Sequence, residues 1–228
     1  MALVTVLMPV YNAAPYLNEA IDSILRQSFK NFEFRIINDG STDNSEDIIL
    51  AYKDERIRYF KNEGNIKLIA TLNKGIALSN GKYIARMDAD DFALPHRLER
   101  QFSFLEKNQN IIVAGSWYSY IGDIQRTTQY PILHEEIKIE MLYRCPICHP
   151  SVMWRVNNEV KVRFCADYLH AEDYDLWSRL IVLGDIANIP EVLLNYRVHQ
   201  ESVSRSNQVK QLENSIRVRQ NQFEKMGI

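Results

Sequence analysis

Residues 3–8 form a largely apolar run rich in Val and Leu, short enough for a strand buried on both faces, with Pro9 read as its stop. After it, Pro15 suits a first helical turn, and Leu17, Ala20, Ile21, Ile24 and Leu25 then recur on one helical face. Residues 32–37 read as a second strand, ending in Asn38-Asp39-Gly40-Ser41-Thr42-Asp43. That cluster is turn chemistry and supplies caps for a helix over 45–53. A short third strand falls at 57–60. Leu68, Leu72, Ile76 and Ala77 follow helical spacing up to Gly81, a helix terminator. Residues 83–87 are a fourth apolar run.

This β-α-β-α-β-α-β alternation predicts a mainly parallel sheet with helices on both faces. Ligands of such sheets lie in the crevice outside the carboxyl ends of the strands. Three polar clusters, 9–12, 38–43 and 88–91, fall at those ends. Beyond Pro95 the spacing of Leu98, Phe102 and Leu105 predicts a helix, and 111–115 a strand. Residues 117–129 read as a hairpin turning near Gly122-Asp123, 134–143 as a helix and 151–155 as a strand. Glu172 opens a helix with Leu176, Trp177, Leu180 and Leu183 inward. Residues 186–189 and 192–197 read as two short strands, and 204–226 as a closing helix. With no linker or repeat in sight, the chain is expected to be one domain. Residues 1–92 would be the nucleotide-like half, 93–203 the substrate-like half and 204–228 the closing helix.

The fourth run ends in Asp88-Ala89-Asp90-Asp91. On a continuing strand Asp88 and Asp90 would face one side, roughly 6–7 Å apart, with Asp91 turned away. Carboxylates so placed repel unless a cation lies between them or one takes up a proton. The pattern reads as a hard divalent-cation site with positions open to a ligand's oxygens. It reads equally as an acidic turn capping the next helix.

With 228 residues, a net charge of −2 and 46% hydrophobic residues, the chain has ample length for a core and no general attraction for nucleic acid or anionic lipid. Its N-terminus lacks a basic region and soon meets Pro9, unlike a signal peptide. No apolar run reaches membrane-span length. A cytoplasmic location is expected. Three cysteines argue against a disulfide framework. Cys145-Pro146-Ile147-Cys148-His149 matches a haem-attachment spacing, but nothing supports export and no second pair completes a zinc site. Buried thiols beside a turn are the expected reading.

Five segments together resemble the inverting glycosyltransferases of family 2, with the GT-A fold: Pro9-Val10-Tyr11-Asn12, Asn38 to Asp43, Ala85 to Asp91, Ala171-Glu172-Asp173-Tyr174-Asp175-Leu176-Trp177 and Tyr196-Arg197-Val198-His199. The resemblance implies a nucleotide-sugar donor, usually a UDP-sugar, with Mn²⁺ or Mg²⁺. It implies that Pro9, Tyr11, Asn12 and Asp39 hold the base and ribose, with Lys67 a further nucleotide contact. Asp88 and Ala89 would lie against the ribose or a metal-bound water. Asp90 would bind the metal, with His199 helping, and Asp173 would be the general base. The acceptor would be a glycan, free or lipid-linked, in lipopolysaccharide or capsule synthesis, with His149, Tyr168 and His170 on the acceptor side. Each residue also has a plainer reading. Asp39 suits a turn, Glu172 and Asp173 suit a helix start, Tyr11 suits core packing, and His199 a surface hydrogen bond.

Other nucleotide signatures fail: the spacing from Gly75 to Lys82 does not make a P-loop, and no dinucleotide-binding glycine pattern follows the first strand. The rivals are a nucleotidyltransferase, which would want glycines and basic residues within 9–15, and an inactive nucleotide-sugar binding module. The absence of a span or long extension favours transfer of single sugars. The closing helix, with Val209, Leu212, Ile216 and Phe223 at helical spacing and Lys210, Arg217, Arg219 and Lys225 beside them, is expected to pack on the domain, on a second subunit or against an anionic inner membrane.

Overall fold

The computed structural model describes residues 2–122, 124–156, 162–199 and 207–226, with side chains as far as Glu224. Asp123 of the expected turn, the helix start expected at Ser204 and the Lys225 side chain lie outside the described residues. Strands β1 (Val4–Val10), β2 (Phe32–Asn38), β3 (Ile57–Lys61) and β4 (Tyr83–Arg86) alternate with helices α1 (Ala14–Leu25), α2 (Ser45–Ala51) and α3 (Leu68–Leu78). All four strands are parallel, in the order β3-β2-β1-β4. The expected mixed α/β architecture is present.

Both faces of this sheet are covered, as continuous apolar strands demand. Val4, Val6, Met8 and Val10 of β1 pack with Leu17, Ala20, Ile21 and Ile24 of α1, while Leu7 points the other way to Ile69 and Leu72 of α3. Pro9 does not stop β1. The Leu7 carbonyl accepts from Met87 N and the Val10 carbonyl from Asp39 N, so alternate residues bond alternate neighbours. Pro9 therefore turns its donorless nitrogen toward β4, whose pairing has ended at Arg86 opposite Leu7.

After β5 (Phe92–Ala93) and α4 (Arg97–Lys107), the sheet continues with β6 (Ile111–Gly122), β7 (Thr127–Thr128), β8 (Met153–Arg155) and β9 (Asp185–Val198). The order beyond β4 is β8-β6-β9-β5, with β7 on the edge of β6. β8 is antiparallel to both β4 and β6, and β9 is parallel to β6. The two short strands expected at 186–189 and 192–197 are one. Ser116 pairs with Ile189 and Trp117 with Val192, so Pro190 and Glu191 form a bulge that excuses the missing proline donor.

Helices α5 (His134–Glu140), α6 (Glu172–Leu180) and α7 (Gln208–Met226) complete the chain. α6 ends at Leu180, so Leu183 is 59% exposed rather than inward. In α7 it is Asn214 and Val218 that are buried, while Val209, Leu212 and Ile216 are exposed. Among the described residues no helix is long and apolar enough to cross a membrane.

Gly40 occupies the turn after β2 at φ +70°, and a Cβ there would stand 2.6 Å from the Gly64 carbonyl carbon. Both the left-handed backbone and the close approach require glycine. Gly40→Ala is expected to lower unfolding stability by about 2–4 kcal/mol, measured by denaturant titration.

Candidate active site

The carboxyl ends of β1, β2 and β4 bring the three polar clusters together. At the end of β1, Tyr11 is half exposed and Asn12 adopts φ +49°, a region that asparagine tolerates better than most residues. Asn12 Oδ1 accepts from Thr42 N at 2.8 Å, and Asn12 N donates to Ser41 Oγ at 3.1 Å. Asp43 carries both neighbouring helix starts, accepting from Ala14 N and Ser45 N at 3.0 Å each.

Asp39 is 3% exposed. Its Oδ1 accepts from Asn62 Nδ2 at 2.8 Å and from Ile66 N at 2.9 Å. Asn62 in turn accepts from Lys74 Nζ at 2.6 Å. Lys67, exposed at φ +75°, follows Ile66 directly, so the loosely aligned lysine stands one residue from an Asp39 partner.

The carboxylates differ from the strand-based expectation. β4 ends at Arg86, so two-residue alternation does not extend through the acidic turn. One oxygen from each of Asp88, Asp90 and Asp91 lies within 4.8 Å of the others. Asp91 is not turned away: its Oδ1 accepts from Arg197 N at 2.9 Å, while its buried Oδ2 has no hydrogen-bond partner. Ala89 is buried between them. Burial and the neighbouring Asp88 charge push the Asp90 carboxyl up, against the pull of His199. Burial, then Asp88 and Asp90, push Asp91 up well beyond the carboxylate range.

Arg86, 2% exposed, forms an ion pair with Asp88. Burial alone would lower its pKa, but the carboxylates of Asp88, Asp91 and Asp90 hold it up. Arg97 of α4 is fully buried beneath it, donating to the Arg86 carbonyl at 2.6 Å and to Gln101 Oε1 at 3.1 Å. Burial brings its pKa down to about 10. Gln101 donates to the Ala114 and Ser151 carbonyls at 2.8 and 2.7 Å. A buried polar lattice thus holds the turn from below.

His199 reaches the turn from beyond β9, its Nε2 3.0 Å from Asp90 Oδ2. Neighbouring ligands of an octahedral ion at about 2.1 Å stand about 3 Å apart, and the carboxylate oxygens suit Mg²⁺ or Mn²⁺. Asp88, Asp90 and Asp91 thus present carboxylate oxygens that could hold a divalent cation, with His199 beside Asp90. Burial together with neighbouring charge raises the Asp90 and Asp91 carboxyls that such an ion would relieve.

Asp173 lies in the first turn of α6 and accepts from Tyr174 N at 2.8 Å. Burial raises its pKa to about 6, within the fields of Arg86 and Asp88. Glu172, 6% exposed, is raised to about 7 by burial and by Asp173, and its Oε2 has no partner. The His149 ring, 5.1 Å from Phe164 and 6.2 Å from Trp177, is held neutral by burial and by Arg86. Arg86, Arg97, Glu172 and Arg197 carry no role in the motif reading. Their one sequence signal is a charge inside or beside an apolar run.

The fold and this site define a class, the GT-A glycosyltransferases. *S. aureus* TarS 1–349 in complex with UDP-GlcNAc superimposes with a TM-score of 0.81 at 16% identity, over 98% of this chain and 66% of that one. Mannosyltransferase PcManGT from *Pyrobaculum calidifontis*, in complex with GDP-Man and Mn²⁺, gives 0.72 at 18% identity, over 94% and 64%. Residues 5–157 match the glycosyl transferase family 2 profile, and the chain belongs to that family. An uncharacterized glycosyltransferase of *Haemophilus influenzae* is 39% identical over 220 residues, 89% of this chain and 67% of its own. One of *Methanocaldococcus jannaschii* is 38% identical over 207 residues, 86% and 71%. The chain thus spans about two thirds of these relatives.

The raised Glu172 and Asp173 carboxyls have a stability consequence. Their protons stay on in the native state at pH values where the unfolded chain has released them. Stability is therefore fullest below about pH 4 as far as these groups go, and is withdrawn as pH rises toward about 7. Glu172→Gln is expected to stabilise the protein by about 1–3 kcal/mol at pH 7.5 and by little at pH 4.5, read by denaturant unfolding at both pH values.

Proposed function

We propose that the chain is a metal-dependent inverting transferase of single sugars. It moves a hexose or N-acetylhexosamine from a UDP-sugar to a hydroxyl of a glycan acceptor in cell-surface polysaccharide synthesis, of the lipopolysaccharide or capsule kind. The observation that supports this is the cluster of Asp88, Asp90 and Asp91 after β4, with His199 bonded to Asp90, Asp39 at the end of β2 two strands away, and Asp173 within the fields of Arg86 and Asp88. In this reading residues 1–92 are the donor half, 93–203 the acceptor half and 204–228 the closing helix.

Pro9, Tyr11, Asn12 and Asp39 hold the nucleoside. Asp39 is well placed to read a base N–H, because Asn62 and Ile66 N fix one oxygen and orient the other. Lys67 lies at the donor's edge, and Asp88 with Ala89 backs the ribose. A Mn²⁺ or Mg²⁺ held by Asp90 and His199 would act as a Lewis acid on the departing diphosphate. Asp173 takes the proton of the attacking hydroxyl. Its raised pKa makes it a stronger base than an exposed aspartate, yet leaves it ionised at neutral pH. A single displacement of this kind inverts the anomeric centre. Val209, Leu212 and Ile216 on the outer face of α7, beside Arg217 and Arg219, are assigned to the membrane surface bearing a lipid-linked acceptor. Co-sedimentation with anionic vesicles that survives Leu212→Asp unchanged would remove that assignment.

Calorimetry should find micromolar UDP binding that strengthens with Mn²⁺ and loses that gain in Asp90→Ala. Absence of UDP binding under any condition would sink the donor reading. Asp173→Asn is expected to keep UDP affinity while kcat falls about 10²–10⁴-fold. An inactive binding module would keep all its function instead. The wild-type rate should fall with decreasing pH through an apparent pKa near the about 6 of Asp173, as the base takes up its proton.

A further inference from the structure

Arg197 is the only residue outside the acidic turn that is bonded to it at two points among the described contacts. Its main-chain N donates to Asp91 Oδ1 at 2.9 Å, and its side-chain Nε donates to the Asp90 carbonyl at 2.9 Å. The rest of the guanidinium reaches α1, where it forms an ion pair with Glu19 and lies 5.1 Å from the Tyr16 ring centroid. The same Tyr16 ring stands 4.7 Å from the His199 imidazole, and His199 in turn meets Asp90 at 3.0 Å. The Arg197 side chain is 16% exposed and its Glu19 partner 52%, so the ion pair is open to screening by salt, whereas the bonds to the turn are better shielded.

We propose that Arg197 is a positioning residue for the metal-binding group: it fixes the Asp90 main chain directly and the His199 ring through Tyr16. The inference rests on Asp90 and His199 being metal donors. A planar guanidinium can bond the Asp90 carbonyl through Nε, pair with Glu19 through Nη2 and stack on Tyr16 at once. A lysine ammonium has no such fork. The turn needs an external clamp because its own interactions oppose its shape. Three carboxylates converge there without a regular strand to hold them. Arg86 and Arg97 secure it from the core side, and Arg197 from the outside, where β9 and α1 meet. Asp90 and His199 stand far apart in sequence, and Arg197 is two residues from one of them and bonded to the other. It therefore sets their separation, and separation is what an ion of fixed radius selects.

The test is Mn²⁺ titration followed by electron paramagnetic resonance, in the presence of UDP and separately of GDP, on wild type, Arg197→Ala and Arg197→Lys. Thermal unfolding and metal-free nucleotide binding are measured alongside. Both variants are expected to bind Mn²⁺ about 10–100-fold more weakly, with metal-free nucleotide affinity unchanged. In turnover, kcat should fall further than KM rises. Arg197→Lys keeps the charge and the main-chain bond, so it decides the matter if Arg197→Ala does not fold. Wild-type Mn²⁺ affinity in Arg197→Lys would overturn the proposal, as would a fall in melting temperature with metal affinity preserved, which marks structural support alone. If the wild type itself takes up no Mn²⁺ with either nucleotide, the metal reading of Asp90 fails and this inference with it. If the wild type binds and the variants match it, only the inference fails.

Discussion

Mutual repulsion among three carboxylates at the end of β4 is the constraint around which the rest of this molecule is arranged. Asp88, Asp90 and Asp91 converge within 4.8 Å in a place where burial makes charge costly. Asp91 is buried and the Asp88 and Asp90 side chains are 28% and 31% exposed, so water relieves them only in part and the protein adds buried cations and fixed donors. Arg86 pairs with Asp88, Arg97 grips the Arg86 carbonyl, and Arg197 N meets Asp91. Removing one partner from such a group leaves a buried charge uncompensated, a far larger loss than the pair's net contribution. The polar interior of α4, unusual for a helix packed on a sheet, follows from this need. Arg97 and Gln101 are both fully buried because the strand ends above them require bonds that apolar side chains cannot supply.

A second consequence is a division of labour between acids. Asp39 is a fixture, with one oxygen committed to Asn62 and Ile66 N. Asp43 is committed to two helix starts, and its bonds to Ser45 and Ala14 hold its carboxyl low despite partial burial. Asp173 and Glu172, in contrast, are raised by burial, Asp173 in spite of its bond from Tyr174 N and Glu172 with its Oε2 unpartnered. The same carboxyl group thus serves as a strut or keeps its proton to higher pH according to how many N–H groups point at it and how deeply it is buried.

The front half of the fold was legible because its strands are continuous apolar runs and its helices carry one-sided stripes. Val4 to Met8 and Leu17 to Ile24 need no tertiary information to be recognised. The reading failed where tertiary partners override local rules. Pro9 is tolerated because β4 stops short of it, and Pro190 because it falls in a bulge; neither neighbour is visible from the proline itself. Asp91 was misplaced because alternation was carried past the end of a strand. In the site, the acids stood out as motifs, whereas Arg86 and Arg197 did not, since their meaning lies in contacts made across long sequence separations. Leu183 was misread for a simpler reason: helical spacing continues on paper after the helix has ended.

Asn73 of α3 makes a paired contact with the backbone of Phe164, donating to its carbonyl and accepting from its N–H, each at 2.9 Å. A side-chain amide here imitates a neighbouring strand, and it registers the segment leading to Asp173 against a helix of the other half. This contact adds to the β4–β8 pairing and the Arg197 bonds that join the early and late parts of the chain. Lineages derived from this scaffold would be free to exchange surface loops for new acceptors, but a segment grafted between β8 and α6 must bring a backbone that engages that amide. Without it, Asp173 would drift relative to the acidic turn, and recombination at this joint would be punished where recombination elsewhere is not.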